Sequence, residues 1–363
     1  MIRAALVVFS LAAFASPIKA QDCPAIAGLE LSGQKCASTD RGLVIAETSD
    51  RATALSELAE VGADRFKILF GRHPARYVIV ERTLGGLNET QQRALNDAGY
   101  SAVIPWLSPT GFRDQMIASV RRTFDANASA MEESQRELAW QAALAQIGSA
   151  VSDKAAADRE ATTIPHELGH MWLTHAFWSA SGNEPIYHYG GPGPDWLDEL
   201  AAVVLEPVST AVQRRNQFGK RYNGIQSATA ADEAVPDALL DLKAYLSEAH
   251  PVGGNLQELN ARMSGPVNTS GSTIRVLTGA EAQRVAGDGI RFYLQSRLVA
   301  DYILARCEEP AIMGTIAAAL AENPDFEAWL AANGAKHGLP GSIAELEQDW
   351  LVWLGRMYPA ANS

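Results

Sequence analysis

His166 and His170 stand four residues apart in the string His166-Glu167-Leu168-Gly169-His170. On an α-helix this spacing sets both imidazoles on one face, one turn apart, where their nitrogens can converge on a single ion. Glu167 is turned about 100° around the axis from His166, so it can reach a water beside the ion without being a ligand. This is the logic of H-E-x-x-H, with the Glu as general base. Thr162 or Thr163 is expected to cap the helix, and Pro165 to fall in its first turn, where an N–H would be unpaired anyway. With seven His in the chain, chance yields such a string on the order of once in a hundred sequences, so its surroundings matter. Here Met171, Trp172, Leu173, Phe177 and Trp178 follow, as in a buried core helix.

A catalytic zinc takes three protein ligands and keeps one position open. His175 lies five residues past His170, about 140° round the helix and off the ligand face. Leu173 and Ala176 also stand where a Gly and a third His would complete the longer H-E-x-x-H-x-x-G-x-x-H pattern. His175 therefore reads as a satisfied structural residue. The stronger candidate for the third ligand is Glu199, in Trp196-Leu197-Asp198-Glu199-Leu200-Ala201-Ala202. That segment opens a second helix after a loop, which lets the chain fold back and present a carboxylate to the same ion. Ala201 and Ala202 are small enough for this helix to pack closely beside the histidines.

Apolar spacing predicts a helix over 50–62, strands over 66–70 and 77–81, a helix near 89–98 and a strand over 101–106. Helical spacing returns over 112–123 and 130–151. From there the chain reads as almost wholly helical, over 163–179, 196–217, 237–249, 286–306, 309–322, 324–333 and 342–358. Gly and Pro mark Ser179 to Asp195 as a loop between helices, and Pro251 to Ser272 reads as a long surface loop or linker. The expected class is α+β. A small N-terminal mixed sheet with helices precedes a mainly helical subdomain, with a zinc site between them. The expected division is a leader over 1–20, an N-terminal segment over 21–49, a catalytic α/β part over 50–250 and a helical subdomain over 273–358.

Composition narrows the classes of partner. With 47 % hydrophobic and 20 % charged residues in 363, the chain is an ordinary globular one. A net charge of -12 argues against nucleic acid, which is bound through clustered Lys and Arg. Arg3 followed by apolar Ala4 to Ala15, too short to span a bilayer, reads as a signal peptide. Ala15 and Ala20 end rival cleavage sites, and the bond after Ala20 is favoured. No other uninterrupted apolar run reaches about 18 residues, so no membrane anchor is expected and the protein is placed in the periplasm or secreted. In an oxidising compartment Cys23 and Cys36 can close a short loop by disulfide. Cys307 reads as a buried inert thiol, and with three cysteines and no Cys-x-x-Cys pair a thiolate zinc site is not expected.

The two motifs together resemble the gluzincin metallopeptidases, most closely their aminopeptidase-like, or "peptidase MA-like", branch, whose second motif reads Trp-Leu-x-Glu-x-x-Ala. The resemblance implies that His166, His170 and Glu199 bind one zinc ion and that Glu167 activates water. It extends to Arg291-Phe292-Tyr293-Leu294 through Ala300-Asp301-Tyr302-Ile303, similar to a family helix that begins with a Tyr behind the site, and to Ser342 to Trp350, similar to the final helix. It thereby makes Tyr293 the candidate donor to the reacting oxyanion, with Tyr187, His188 and Tyr189 as competitors from the loop joining the ligand helices. The chain also departs from the pattern. The Gly-x-Met-Glu-Asn strand of the family aminopeptidases has no counterpart, since Ser129-Ala130-Met131-Glu132-Glu133 lies in a helical pattern without the Gly or Asn. Val203 stands where thermolysin-like members place an Asp, so support for the histidines must come from elsewhere, with Asp198 as one candidate.

The expected function is zinc-assisted hydrolysis of a peptide or protein substrate. Two alternatives stand beside it: a non-enzymatic exported binding module with this fold, and a zinc hydrolase of non-peptide amides. Glu167 argues for catalysis, because a purely structural zinc has no need of that base.

Overall fold

Parallel strands need long crossovers, whereas antiparallel neighbours need only a turn, and the N-terminal part of this chain uses both. The structure is a computed structural model that describes residues 20–82, 87–129, 131–148, 150–178, 192–227, 241–247 and 279–359. Strands β1 (Ala20–Asp22), β2 (Lys35–Ser38) and β3 (Gly42–Ala46) form an antiparallel meander. Helix α1 (Ser49–Phe70) then carries the chain to β4 (Tyr77–Arg82), parallel to β3, and α2 (Glu89–Asp97) carries it to β5 (Ala102–Leu107), parallel to β4. The result is a five-stranded mixed sheet in chain order, with β5 at an edge.

Alternation along the strands divides two cores. Val44, Ala46, Tyr77, Ile79, Ala102 and Ile104 face the larger one, while Leu43, Ile45, Val78, Val80 and Val103 face a smaller one with Leu95 of α2 and Ile26. The smaller core is closed by the Cys23–Cys36 disulfide, whose Cα atoms lie 4.9 Å apart. No strand was expected over 21–49: β1 and β2 are three and four residues long with no β-branched run, while β3, carrying Leu43, Val44 and Ile45, was missed.

The apolar stretch over 66–70, expected as a strand, is instead the last turn of α1. Phe66 and Phe70 stack one turn apart at 4.7 Å, and Gly71 in the left-handed region (φ 64°) caps the helix. Short apolar runs fit either period, and continuity with the helix before it decided this one.

Beyond the sheet the described chain is helical. It runs through α3 (Pro109–Asn127), α4 (Glu133–Gly148), α5 (Asp153–Phe177), α6 (Asp195–Leu205), α7 (Val208–Ser227) and α8 (Leu242–Ser247). It continues through α9 (Gly279–Arg306), α10 (Ile312–Glu322), α11 (Phe326–Asn333), a 3₁₀ turn (Gly334–His337) and α12 (Ile343–Met357). This is an α+β protein. Among the described residues no helix is long and apolar enough to cross a membrane. Residues 1–19 of the leader expected over 1–20, most of the loop expected after α5 and the linker expected over 251–272 lie outside the described residues.

Several helix boundaries differ from expectation, among them the start of the helix expected over 130–151, which begins at Glu133 and so leaves Ser129 and Met131 outside it, and two that shape the site. Helix α5 starts ten residues before 163, where the Ser152 side chain accepts from the Ala155 N–H, so Thr162 and Thr163 do not cap it and Pro165 is internal. Gly62 of α1 makes room for Pro165, since a Cβ at Gly62 would lie 2.9 Å from the Pro165 Cβ. The single helix expected over 196–217 is two, broken at Glu206-Pro207 because proline cannot continue the backbone ladder.

Candidate metal centre

Helix α5 runs antiparallel to the edge strand β5 and is tied to it at both ends. His175 Nε2 lies 2.9 Å from the Ser101 carbonyl oxygen, and Trp106 Nε1 donates to Glu160 Oε1 at 3.1 Å. His175 is thus a structural residue, away from the ligand face. Its opposite side packs Ile164, Leu168 and Trp172 into the larger core, which leaves His166 and His170 turned towards α6.

Gly169 sets the distance between those helices. A Cβ there would lie 2.9 Å from the Ala202 Cα and 3.1 Å from the Ala201 carbonyl oxygen. Glycine at 169 against alanines at 201 and 202 lets the two backbones touch, and Glu199 is carried onto the histidines.

His166 Nε2 and His170 Nε2 are 3.4 Å apart. Glu199 Oε1 lies 3.7 Å from the first and its Oε2 3.8 Å from the second. Ligand bonds of about 2.0–2.1 Å in a tetrahedron put neighbouring ligand atoms about 3.3 Å apart, so this triangle matches the edge of a metal coordination shell to within a few tenths of an ångström. The buried His166, His170 and Glu199 can hold a metal ion.

The other nitrogen of each ring faces a carboxylate. His166 Nδ1 lies 3.1 Å from Glu206 Oε1, and His170 Nδ1 lies 2.8 Å from Asp198 Oδ2. Carboxylates at both Nδ1 positions favour the Nδ1–H tautomer, so the Nε2 lone pairs turn inward on one another, an arrangement that a cation relieves. Asp198 was foreseen in this role. Glu206 and its partner Arg214 were not: Arg214 Nε donates to Glu206 Oε2 at 2.6 Å and Nη2 bonds Oε1. The one signal in the sequence was spacing, since Glu206 follows Glu199 by seven residues, two turns along the same face.

Electrostatics agrees with this division of roles. Burial pushes the His166 imidazolium below its usual pKa, with the Glu206 hydrogen bond opposing and His170 reinforcing the shift. Burial, then the neighbouring Asp198 and Glu206, push Glu199 well above the usual carboxylate range. Burial would raise Glu206 too, but the hydrogen bonds from His166 and Arg214 outweigh it and hold its pKa low. Glu206 is therefore a fixed anion behind the histidine, and Glu199 an acid whose ionisation a cation would favour.

Glu167 is half-buried, with its charge acting on both His166 and Glu199. Tyr293 of α9 reaches the site as well, its ring centroid 5.9 Å from that of His166 and edge-on, and Arg214 lies over it at 5.4 Å. Tyr187, His188 and Tyr189 lie outside the described residues. No protein-family model, curated protein or solved structure matches the chain.

Proposed function

We propose that this protein is an exported zinc-dependent hydrolase of the gluzincin type, and that its substrates are peptides or proteins. What carries the reading is the inward-facing triangle of His166 Nε2, His170 Nε2 and Glu199, with a carboxylate behind each imidazole. Zinc suits two imidazoles and a carboxylate, and when bound it supplies a Lewis acid for a carbonyl and a lowered pKa for water. The zinc site would lie between the sheet-bearing part and the C-terminal helices, because α5 packs on the sheet while α9 brings Tyr293 from the other side. Export rests on the leader-like residues Arg3 and Ala4 to Ala15 and agrees with the Cys23–Cys36 disulfide.

The chain's own groups divide the work of hydrolysis. Glu167 takes the proton from the attacking water and delivers it to the leaving amine. The Tyr293 hydroxyl donates to the oxygen on which charge develops, with the Arg214 cation close by. Glu206 and Asp198 keep both imidazoles in one tautomer and orientation throughout.

Two measurements on the mature protein test this. Metal analysis should find one zinc per chain, lost in both His166→Ala and Glu199→Ala. A mixed-length peptide library should be cut by the wild type and left intact by Glu167→Gln, which retains the proposed ligands. Zinc-loaded wild type that cuts no peptide would remove the peptidase assignment and direct the search to non-peptide amides or to a binding role.

A further inference from the structure

Arg159 stands on α5 seven residues before His166. Seven residues is close to two turns, so at about 100° per residue Arg159 points within about 20° of both His166 and His170, about 10.5 Å along the axis from His166. It is a cation on the ligand face. Its guanidinium is held over the Phe112 ring, 3.6 Å from the centroid, and its Nη2 is buried without a hydrogen-bond partner.

The nearby acids are already engaged. Glu160 Oε2 accepts from Arg51 Nη1 at 2.9 Å, and its Oε1 accepts from Arg51 Nη2 at 2.7 Å and from Trp106 Nε1 at 3.1 Å. Glu81 Oε1 accepts from Arg51 Nε at 2.9 Å. Arg51 therefore takes up both buried carboxylates, and among the described residues none forms an ion pair with Arg159. A planar fork with one face on an aromatic ring and donors unfilled is suited to receive a carboxylate bidentately.

We propose that Arg159 binds a carboxylate of the substrate, so that the site takes peptides carrying an acidic side chain or a free C-terminus. The inference rests on the peptidase reading for its substrate class. Arg159 is a specificity residue in this scheme and takes no part in bond cleavage.

The test pairs peptides that differ in a single charge. Glu is compared with Gln at each position, and a free C-terminus with its amide, so the source of the carboxylate is distinguished. Binding is measured by calorimetry on the zinc-loaded Glu167→Gln protein and on the same protein carrying Arg159→Met or Arg159→Lys. Cleavage is followed by mass spectrometry with Glu167 intact. Carboxylate-bearing peptides should be favoured about tenfold to a hundredfold. Arg159→Met should erase that preference, and Arg159→Lys should keep only part of it, because it retains charge without the fork.

If Arg159→Met does not fold, a diminished ratio in Arg159→Lys carries the test. Absence of any preference, no peptide binding at all, or a preference that survives Arg159→Met overturns the proposal, the last because the carboxylate would then sit elsewhere, on the metal for example. Acidic peptides held through Arg159 but never cut would sustain the recognition site and sink the peptidase reading. Cleavage without charge preference would do the reverse.

Discussion

Glu206 faces His166 Nδ1 at 3.1 Å while Arg214 grips the same carboxylate through Nε and Nη2. The carboxylate is buried, and the hydrogen bonds from His166 and Arg214 outweigh that burial and hold its pKa low. A histidine that could hold a metal ion is thus oriented by an anion that is itself locked in place by α7, a separate helix.

The first prediction follows from that chain of contacts. Glu206→Gln should weaken zinc binding about tenfold to a hundredfold, as loss of a carboxylate behind a ligand histidine does. Glu206→Ala should also destabilise the fold by about 3 kcal/mol, the low end of the range for a broken buried pair, because the Arg214 it leaves without a counter-charge is half-buried. Chelator competition and denaturant unfolding read the two effects separately. Zinc affinity unchanged in both variants would show that His166 is oriented by something else.

The approach of α5 to α6 gives the second. Gly169→Val would force side-chain atoms against the Ala202 Cα and the Ala201 carbonyl, 2.9 and 3.1 Å from where its Cβ must sit. Overpacking of this kind costs about 1–3 kcal/mol. Relief of the clash by moving α6 away from α5 would draw Glu199 from the histidines, so zinc affinity should fall along with stability. A variant that loses stability but binds zinc as tightly as before would show that the close approach at Gly169 does not set the position of Glu199.

How much of this was legible in the sequence depends on how local each constraint is. The placement of His166, Glu167 and His170 on one helix needs only four residues and a helical period. Glu199 needed one further step, a helix returning after a Gly- and Pro-rich loop, and the structure brings its carboxylate between the two imidazoles. Glu206 looked like any acid at a helix end, because its burial comes from Arg214 on a helix whose path the sequence does not reveal. Pro165 resembled a helix start for a similar reason, since the hollow that accepts it is made by Gly62 a hundred residues earlier. The stretch over 66–70 was misread because four apolar residues around Lys67 carry no period of their own, and Gly71 was the overlooked stop signal. Strands β1 and β2 are too short and too poor in β-branched residues to stand out before their partners are known, whereas β3, with Leu43, Val44 and Ile45, carried a strand signal that was missed.

A third prediction concerns acid stability away from the site. Asp301 accepts from Arg215 Nε and Nη2, each at 2.7 Å, and its Oδ1 accepts from Arg297 Nη2 at 2.7 Å. Burial would raise its pKa, but the two arginines outweigh burial and hold it below the usual carboxylate value. A carboxylate whose folded pKa is depressed adds stability above its unfolded value and loses it as pH falls through the folded one. The loss should therefore begin below about pH 4. Asp301→Asn should be less stable by about 2–3 kcal/mol near neutrality, the lower end of the range for a broken buried pair because Arg215 is partly exposed. Its stability should also fall less steeply than that of the wild type below pH 4. Parallel acid-unfolding curves for the two proteins would contradict this account.

Tyr293 yields the last prediction, and it separates two roles that its position permits. The ring meets His166 edge-on at 5.9 Å and lies under Arg214 at 5.4 Å, so it could merely pack the imidazole or could donate its hydroxyl to the reacting oxygen. Tyr293→Phe preserves the packing and removes only the hydroxyl. If the hydroxyl stabilises charge that develops in the transition state, kcat should fall about a hundredfold to a thousandfold, with KM and zinc content almost unchanged. Tyr293→Ala should then add a loss of zinc affinity through a less constrained His166. Full turnover in Tyr293→Phe together with weakened zinc binding in Tyr293→Ala would assign Tyr293 to packing alone. The donor to the oxyanion would then be sought in Arg214, for which Arg214→Met paired with Glu206→Met tests the cation without leaving either charge buried alone.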